Sequence, residues 1–401
     1  MFMVFRGREN KSGKNGWMIL CAGLVLALVL LPWAASAQTV KIGAVYPLSG
    51  GVAEASSWVV EGVKMAVDEI NNKGGIPIQG KNQKIELVLY DSKCDPTTGV
   101  SAVEKMVNRD KVIAITGDYC SSAVLAEREV SGRAKVVQVT PIAVHPNITS
   151  PDYPYMFRIV NTINMYAKPF VEYVSAKLSI KNIALMAITD DYGRSAVNIY
   201  SDLYPKNNIK ITATEWFKHG DKDFYTQLTK LVSTKPDAIY IVTDEDSQNI
   251  GILKQLKELG FKGKILGCST YATDNMIKLG GKELLEGMYL EGVPFELNKE
   301  KPEVQEWLKG YARKFGRNGN GFSLWGYQSI QVLSDAIQRA NSLTDKEKIR
   351  EAMKSTQLTK VLLGYNGEPK FDAVGQVHPY LGALQYKNGK RVAVYVSTKA
   401  D

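Results

Sequence analysis

The chain has 401 residues, 45% of them hydrophobic and 23% charged, with a formal net charge of +9. A length of this order suggests two domains rather than one, and the apolar content is ample for real cores. The positive charge is spread along the chain without a block of like charges, which reads as solubility and argues against a nucleic-acid partner.

The first elements are those of export. Residues 1–16 carry Arg6, Arg8, Lys11 and Lys14 against one acid, Glu9, and "WMILCAGLVLALVLLPW" follows without a charge. The run ends in "AASAQ", where Ala35 and Ala37 flank Ser36. A basic region, an apolar core and a small-x-small site make residues 1–37 a secretory signal peptide, cut so that the mature chain begins at Gln38 in the periplasm. The alternative is a retained anchor, since the run approaches spanning length. Pro32 and the Ala-Ser-Ala site suit a peptidase better. Cys21 lies behind Met-Ile-Leu rather than small residues, which argues against lipid attachment there. No later apolar run is long enough to span a membrane.

From Val40 two kinds of segment alternate. "VKIGAVYP" reads as a buried strand ended by Pro47. "EGVKMAVDEINNKGG" reads as an amphipathic helix, with Val63, Ala66, Val67 and Ile70 on one face and Gly74-Gly75 as its stop. Strand "QKIELVLYD", helix "TTGVSAVEKMVNRD", strand "VIAITGD", helix "SAVLAEREVSGR" and strand "VVQVTP" follow. The proline- and aromatic-rich "SPDYPYMFRIVNT" ends this series near residue 160. The rhythm then restarts and runs to the strand "KILGCS" at 264–269. Strands alternating with helices mean parallel sheets with helices on both faces, here two such α/β domains in series.

Ligands of such sheets bind beyond the carboxyl ends of the strands. The loops there include "YPLSGGVAEASSW", "GDYCSSA", "TPIAVHPNIT", "TDDYGRS", "TDEDSQN" and "CSTYATD". They hold hydroxyls, tyrosines and acids. They contain no G-x-G-x-x-G, no Walker-type loop, no H-E-x-x-H and no G-x-S-x-G. Three scattered histidines, His145, His219 and His378, give a nucleophile–base triad little to draw on. Polar loops gathered at one edge of two sheets suggest a cleft between domains, a preferred place for ligand pockets. The reading is a binding protein for a small molecule, with no enzyme activity, cofactor or metal.

Three cysteines remain after cleavage: Cys94, Cys120 and Cys268. Cys94 and Cys120 each sit where an apolar strand gives way to a loop, and thiols outside the cytoplasm tend to oxidise. A bridge between them and three unpaired buried thiols both stay open on this ground. A zinc site is weaker, because there is no Cys-x-x-Cys.

In "YPLSGGVA", "GVKMAVDEINNKGGI", "YDSKCDPTTGV", "GDYCSSA", "VTPIA", "DYGRS" and "FSLWGYQSIQ" the chain resembles the leucine/isoleucine/valine-binding family. These are the substrate-binding proteins of branched-chain amino-acid-type ABC importers. The resemblance covers the whole mature chain. It implies a type I periplasmic binding fold, with two doubly wound parallel-sheet lobes joined by three crossovers and a ligand cleft between them. One lobe would hold residues 38–160 with 291–366, the other 161–290 with 367–401. It implies a bridge between Cys94 and Cys120, with Ser121 facing the cleft, and a membrane permease as partner.

The pocket matches the family in part. Ser121 is kept for the ligand's head group. A family threonine falls on Val144, an acid on Ser269, and a first-loop aromatic on Ala55. Tyr192 and Phe322 match a family tyrosine and phenylalanine, and Glu245 aligns approximately with another tyrosine. The expected ligand contacts are Tyr119, Ser121, Ser122, Ile142, Ala143, Tyr192, Glu245, Ser269 and Phe322, with Ser121 on a carboxylate and Glu245 on an ammonium. The acidic "TDEDS" turn has a bland alternative as a solvated loop. Trp58, Tyr119, Tyr192, Tyr271, Phe322 and Trp325 offer a wall for a larger or aromatic ligand. The ligand class is therefore a small amino acid or related carboxylate. The alternatives are an aromatic acid or amide, or a ligand-sensing role, since the same fold serves sensors.

Overall fold

The computed structural model describes residues 3, 7, 39–360, 362, 363, 365 and 369–397. Apart from Met3 and Gly7, the expected signal peptide with its Ala37 site and Cys21 lies outside the described residues.

The first sheet has five parallel strands. They are β1 (Val40–Tyr46), β4 (Ile85–Asp91), β5 (Ala114–Gly117), β6 (Val137–Thr140) and β7 (Met156–Arg158), in the spatial order β4-β1-β5-β6-β7. A small hairpin of β2 (Ile76–Ile78) and β3 (Lys81–Gln83) stands apart from it. Strand β1 is buried at six of seven positions, as its continuous apolar run requires in a sheet covered on both faces. Strand β7 lies inside the segment expected to be a break; three residues behind Pro154 are too short to show a period.

The helices Ala53–Asn72, Pro96–Lys105, Ser121–Arg133 and, from much later in the chain, Gly321–Ala340 cover this sheet. Two of them cross backbone to backbone. A Cβ at Gly62 would meet the Ser323 carbonyl oxygen at 1.9 Å, and one at Gly326 would meet the Val59 carbonyl oxygen at 2.1 Å. Any larger residue at either position would force the helices apart.

The second sheet has seven strands: β8 (Asn182–Ile188), β9 (Lys210–Phe217), β10 (Ala238–Val242), β11 (Lys264–Gly267), β12 (Tyr289–Gly292), β13 (Gly382–Lys387) and β14 (Lys390–Val396). Their order is β14-β13-β12-β11-β10-β8-β9. The five from β8 to β12 pair in parallel, but β13 and β14 run antiparallel at one edge. The reason is local. Asn388-Gly389 joins them as a two-residue loop with φ of +53° and +71°, the turn chemistry that closes a tight hairpin. A parallel connection would need a crossover of a dozen residues.

The chain passes to the second sheet after β7, returns after β12, and passes again before β13. The last passage comes later than 366. Val377 and Leu381 still pack in the first core and Ala383 is in the second, because the Arg158 amide donates to the Gly375 carbonyl at 2.9 Å and ties this segment to β7. Val144 packs against both cores and so marks where the lobes meet. Among the described residues no helix is long and apolar enough to cross a membrane.

Candidate functional site

The carboxyl ends of both sheets face one cavity. From the first lobe come Tyr119, Cys120 and Ser121 after β5, Ile142, Ala143 and Val144 after β6, Val160 after β7, and Phe322 and Trp325 on the late helix. From the second come Tyr166, Tyr192, Asp244, Ser269 and Thr270. Seven of the nine expected contacts line it: Tyr119, Ser121, Ile142, Ala143, Tyr192, Ser269 and Phe322. Ser122 and Glu245 do not.

The loop that presents Ser121 is fixed from several sides. Cys94 and Cys120 are bridged, with Cα atoms 5.4 Å apart, and Cys268 is the free, buried thiol. Asp118 Oδ1 accepts from the amides of Tyr119 and, at 3.3 Å, Cys120. Burial pushes the Asp118 carboxyl up, and burial with the field of Asp118 holds the neighbouring Glu127 well above the usual carboxylate range. The helix then begins at Ser121 with no side chain capping its first amides. Such an end carries positive partial charge and favours an anion. Ser121 Oγ accepts from the His145 amide at 3.3 Å, which leaves its own proton to donate into the cavity. Ser122 is half-buried and turned away, because successive helical residues point about 100° apart.

The facing loop is held by buried cations and hydroxyls. The amides of Ile142 and Ala143 donate to Thr140 Oγ1 at 3.5 and 3.1 Å. Arg158 is fully buried; its guanidinium donates to the His145 carbonyl at 2.6 Å and to the side chain of Gln376. Burial lowers its pKa to about 9. The last passage between lobes is thus wired to the loop carrying Ala143 and Val144. His145 lies behind this wall, its Nδ1 accepting from the Asn147 amide at 3.2 Å.

The wall is aromatic. Tyr119 meets Phe322 edge to face with centroids 5.8 Å apart, and Phe322 lies 6.0 Å from Trp325. Tyr166 and Tyr192 close the opposite side. Of the other aromatic candidates, Trp58 sits under the Arg317 guanidinium at 3.5 Å, and Tyr271 is buried in the second core. Val144 also lines the cavity and brings no hydroxyl to that wall.

The acidic turn is not solvated. Asp244, Glu245 and Asp246 are 6%, 2% and 9% exposed. Glu245 ends the loop before helix Asp246–Glu258, and its carboxylate turns sideways. It bonds His219 Nδ1 at 2.8 Å, accepts from the Gly220 amide at 3.2 Å, and lies against Gly51 of the other lobe. It therefore does not line the cavity, against the expectation that it would face a ligand's ammonium. Burial opposes a charge on His219, but bonds to Asp190 and Glu245 and the field of Asp244 outweigh it, lifting the imidazole to about 10. Asp244, one residue earlier, reaches the cavity instead. Val160, Tyr166 and Thr270 also line it without any signal in the sequence: their side chains fit ordinary core patterns until the lobes are brought together.

A cavity between two lobes, walled by rings and closed at one end by an uncapped helix start, is the site of a solute-binding protein. A family model described as periplasmic binding protein matches residues 39–389, and the chain belongs to that family. It is 26% identical over 345 residues to the leucine-, isoleucine-, valine-, threonine- and alanine-binding protein of Pseudomonas aeruginosa, which covers 86% of this chain and 90% of that protein. It is 24% identical to the Leu/Ile/Val-binding protein of Escherichia coli, over 85% of this chain and 90% of that protein. Among solved structures, a leucine-binding protein from Thermotoga maritima superposes with a TM-score of 0.80 at 26% identity, covering 90% of this chain and 99% of that one. A solute-binding protein from Rhodopseudomonas palustris in complex with benzoate superposes with a TM-score of 0.80 at 16% identity, over 90% and 96% of the two chains, and shares the fold.

Proposed function

We propose that the chain is exported to the periplasm, captures a small amino acid or related carboxylate between its lobes, and delivers it to the membrane permease of an ABC importer. The observation that carries the ligand class is Ser121, at an uncapped helix start and facing an aromatic-walled cavity. A carboxylate there would accept from the hydroxyl and the first helical amides, while the rings take an apolar side chain. The relatives named for branched-chain amino acids support the same class. Titration calorimetry with L-leucine, L-valine and L-phenylalanine tests it. Binding of one ligand per chain by at least one of them is expected; no heat from any would sink the reading. N-terminal sequencing of protein from the periplasmic fraction tests export, with Gln38 as the expected first residue. Full-length chain held in the membrane would instead indicate an anchor.

A further inference from the structure

Tyr119 lines the cavity and is 5% exposed, and its hydroxyl is buried without a hydrogen-bond partner among the described residues. A buried hydroxyl left unpaired is costly, so its surroundings show what it is kept for. The ring is held in place: it stands edge to face against Phe322 with centroids 5.8 Å apart, and Phe322 lies 6.0 Å from Trp325. The backbone is held too, since the Tyr119 amide donates to Asp118 Oδ1. Cys120, the next residue, is extended, with φ of −86° and ψ of 128°. Tyr119 and Ser121 therefore leave the chain on one side, and Cys120 on the other, toward Cys94. Two extended residues set the Cα atoms of Tyr119 and Ser121 about 6.6 Å apart. The Tyr119 ring packs on Phe322 rather than along the helix start, so its hydroxyl belongs to the part of the cavity that takes a ligand's side chain.

We propose that Tyr119 determines specificity: its hydroxyl pairs with a hydrogen-bonding group at the tip of the ligand's side chain, so that the preferred ligand is polar-tipped, ending in a hydroxyl or a carboxamide rather than in plain hydrocarbon. This rests on the amino-acid or carboxylate reading of the same cavity and narrows it. A tyrosine hydroxyl both donates and accepts, so either kind of tip satisfies it. Phe322, Trp325 and Tyr192 pack the apolar stem of the same side chain. The discrimination comes from an asymmetry. A hydrocarbon side chain shields the hydroxyl from water and leaves it unpaired, whereas a polar tip of the same shape restores its bond.

Calorimetry on the full chain with two matched pairs decides this: L-tyrosine with L-phenylalanine, and L-asparagine with L-leucine. The members of each pair are alike in shape and differ in a hydrogen-bonding tip. Within at least one pair the polar member binds about fivefold or more tightly than its hydrocarbon partner. Tyr119→Phe keeps the ring against Phe322 and removes only the hydroxyl. It weakens the polar member about fivefold and leaves the hydrocarbon member unchanged or tighter, because the unpaired group has gone. Similar losses for both members of a pair overturn the proposal, since that is a structural effect. Wild-type protein that binds L-phenylalanine and L-leucine at least as tightly as L-tyrosine and L-asparagine also overturns it, and leaves carboxylate capture standing. If the variant does not fold, by circular dichroism, the wild-type comparison alone decides. Failure of all four probes overturns both readings.

Discussion

The Glu245 carboxylate of the second lobe is seated on Gly51 of the first: a Cβ at position 51 would meet Glu245 Cδ and both its oxygens at 2.4 to 2.5 Å. An alanine here would have to push this carboxylate off its seat and away from His219. Gly51→Ala is predicted to add an overpacking cost of about 1–3 kcal/mol where the two loops meet, which lowers the affinity for a ligand held between the lobes roughly five- to a hundred-and-fiftyfold. Because Gly51 lies in an exposed loop, the thermal midpoint of the ligand-free protein should hardly move. Calorimetry alongside small-angle scattering checks this. Wild-type affinity in the variant would mean that the two loops part without consequence.

The Cys94–Cys120 bridge spans 26 residues and anchors both the "CDP" loop and the base of Tyr119 and Ser121. Closing a loop of this length stabilises by about 3–4 kcal/mol in the chain-entropy picture. The double variant Cys94→Ser with Cys120→Ser should unfold at distinctly lower denaturant and bind ligand more weakly, because the loop presenting Ser121 loses one of its ties. An unchanged denaturation midpoint would show that the Asp118 contacts alone hold the loop.

Much of this is legible in the sequence, and what is not has identifiable causes. The strand–helix alternation from Val40 to Ser269 is carried by apolar period and by glycine stops, signals that act over a few residues and survive folding unchanged. The hairpin around Asn388-Gly389 carries an equally local signal. Asp244 and Glu245 are another matter. Adjacent acids on one loop look alike in sequence, and only the backbone direction entering helix Asp246–Glu258 sends the first to the cavity and the second to His219. Tyr166 and Val160 reach the site because the chain changes lobes beside them, and no periodicity records such a passage.

Ser121→Ala removes a donor from the cavity and leaves the His145 amide without its acceptor. A hydrogen bond to a charged group is worth roughly 1.5–3 kcal/mol, so any carboxylate ligand should bind about tenfold or more weakly. The loss should be the same for L-leucine and for 4-methylpentanoate if either is a ligand, since both present a carboxylate. A loss confined to the amino acid would assign Ser121 to the wrong end of the ligand.

Asp118 and Glu127 share a fully buried site, with Glu127 Oε2 accepting from Gln138 Nε2 at 2.9 Å, and neither forms an ion pair among the described residues. Burial raises both acids in the folded state, while in the unfolded chain they titrate near pH 4 to 4.5. The folded form therefore binds more protons, and stability must fall as pH rises. Their contribution is fully present below the unfolded values and is lost as pH climbs through the raised folded ones. Glu127→Gln keeps the shape, cannot ionise, and leaves Asp118 without a competing charge. Its melting temperature should therefore decline less between pH 5 and 8, roughly, than that of the wild type. Asp244 and Glu291, also raised by burial, contribute equally to both proteins and cancel in the comparison. Parallel profiles of melting temperature against pH would show that the pair carries both charges in the fold, stabilised by groups other than each other.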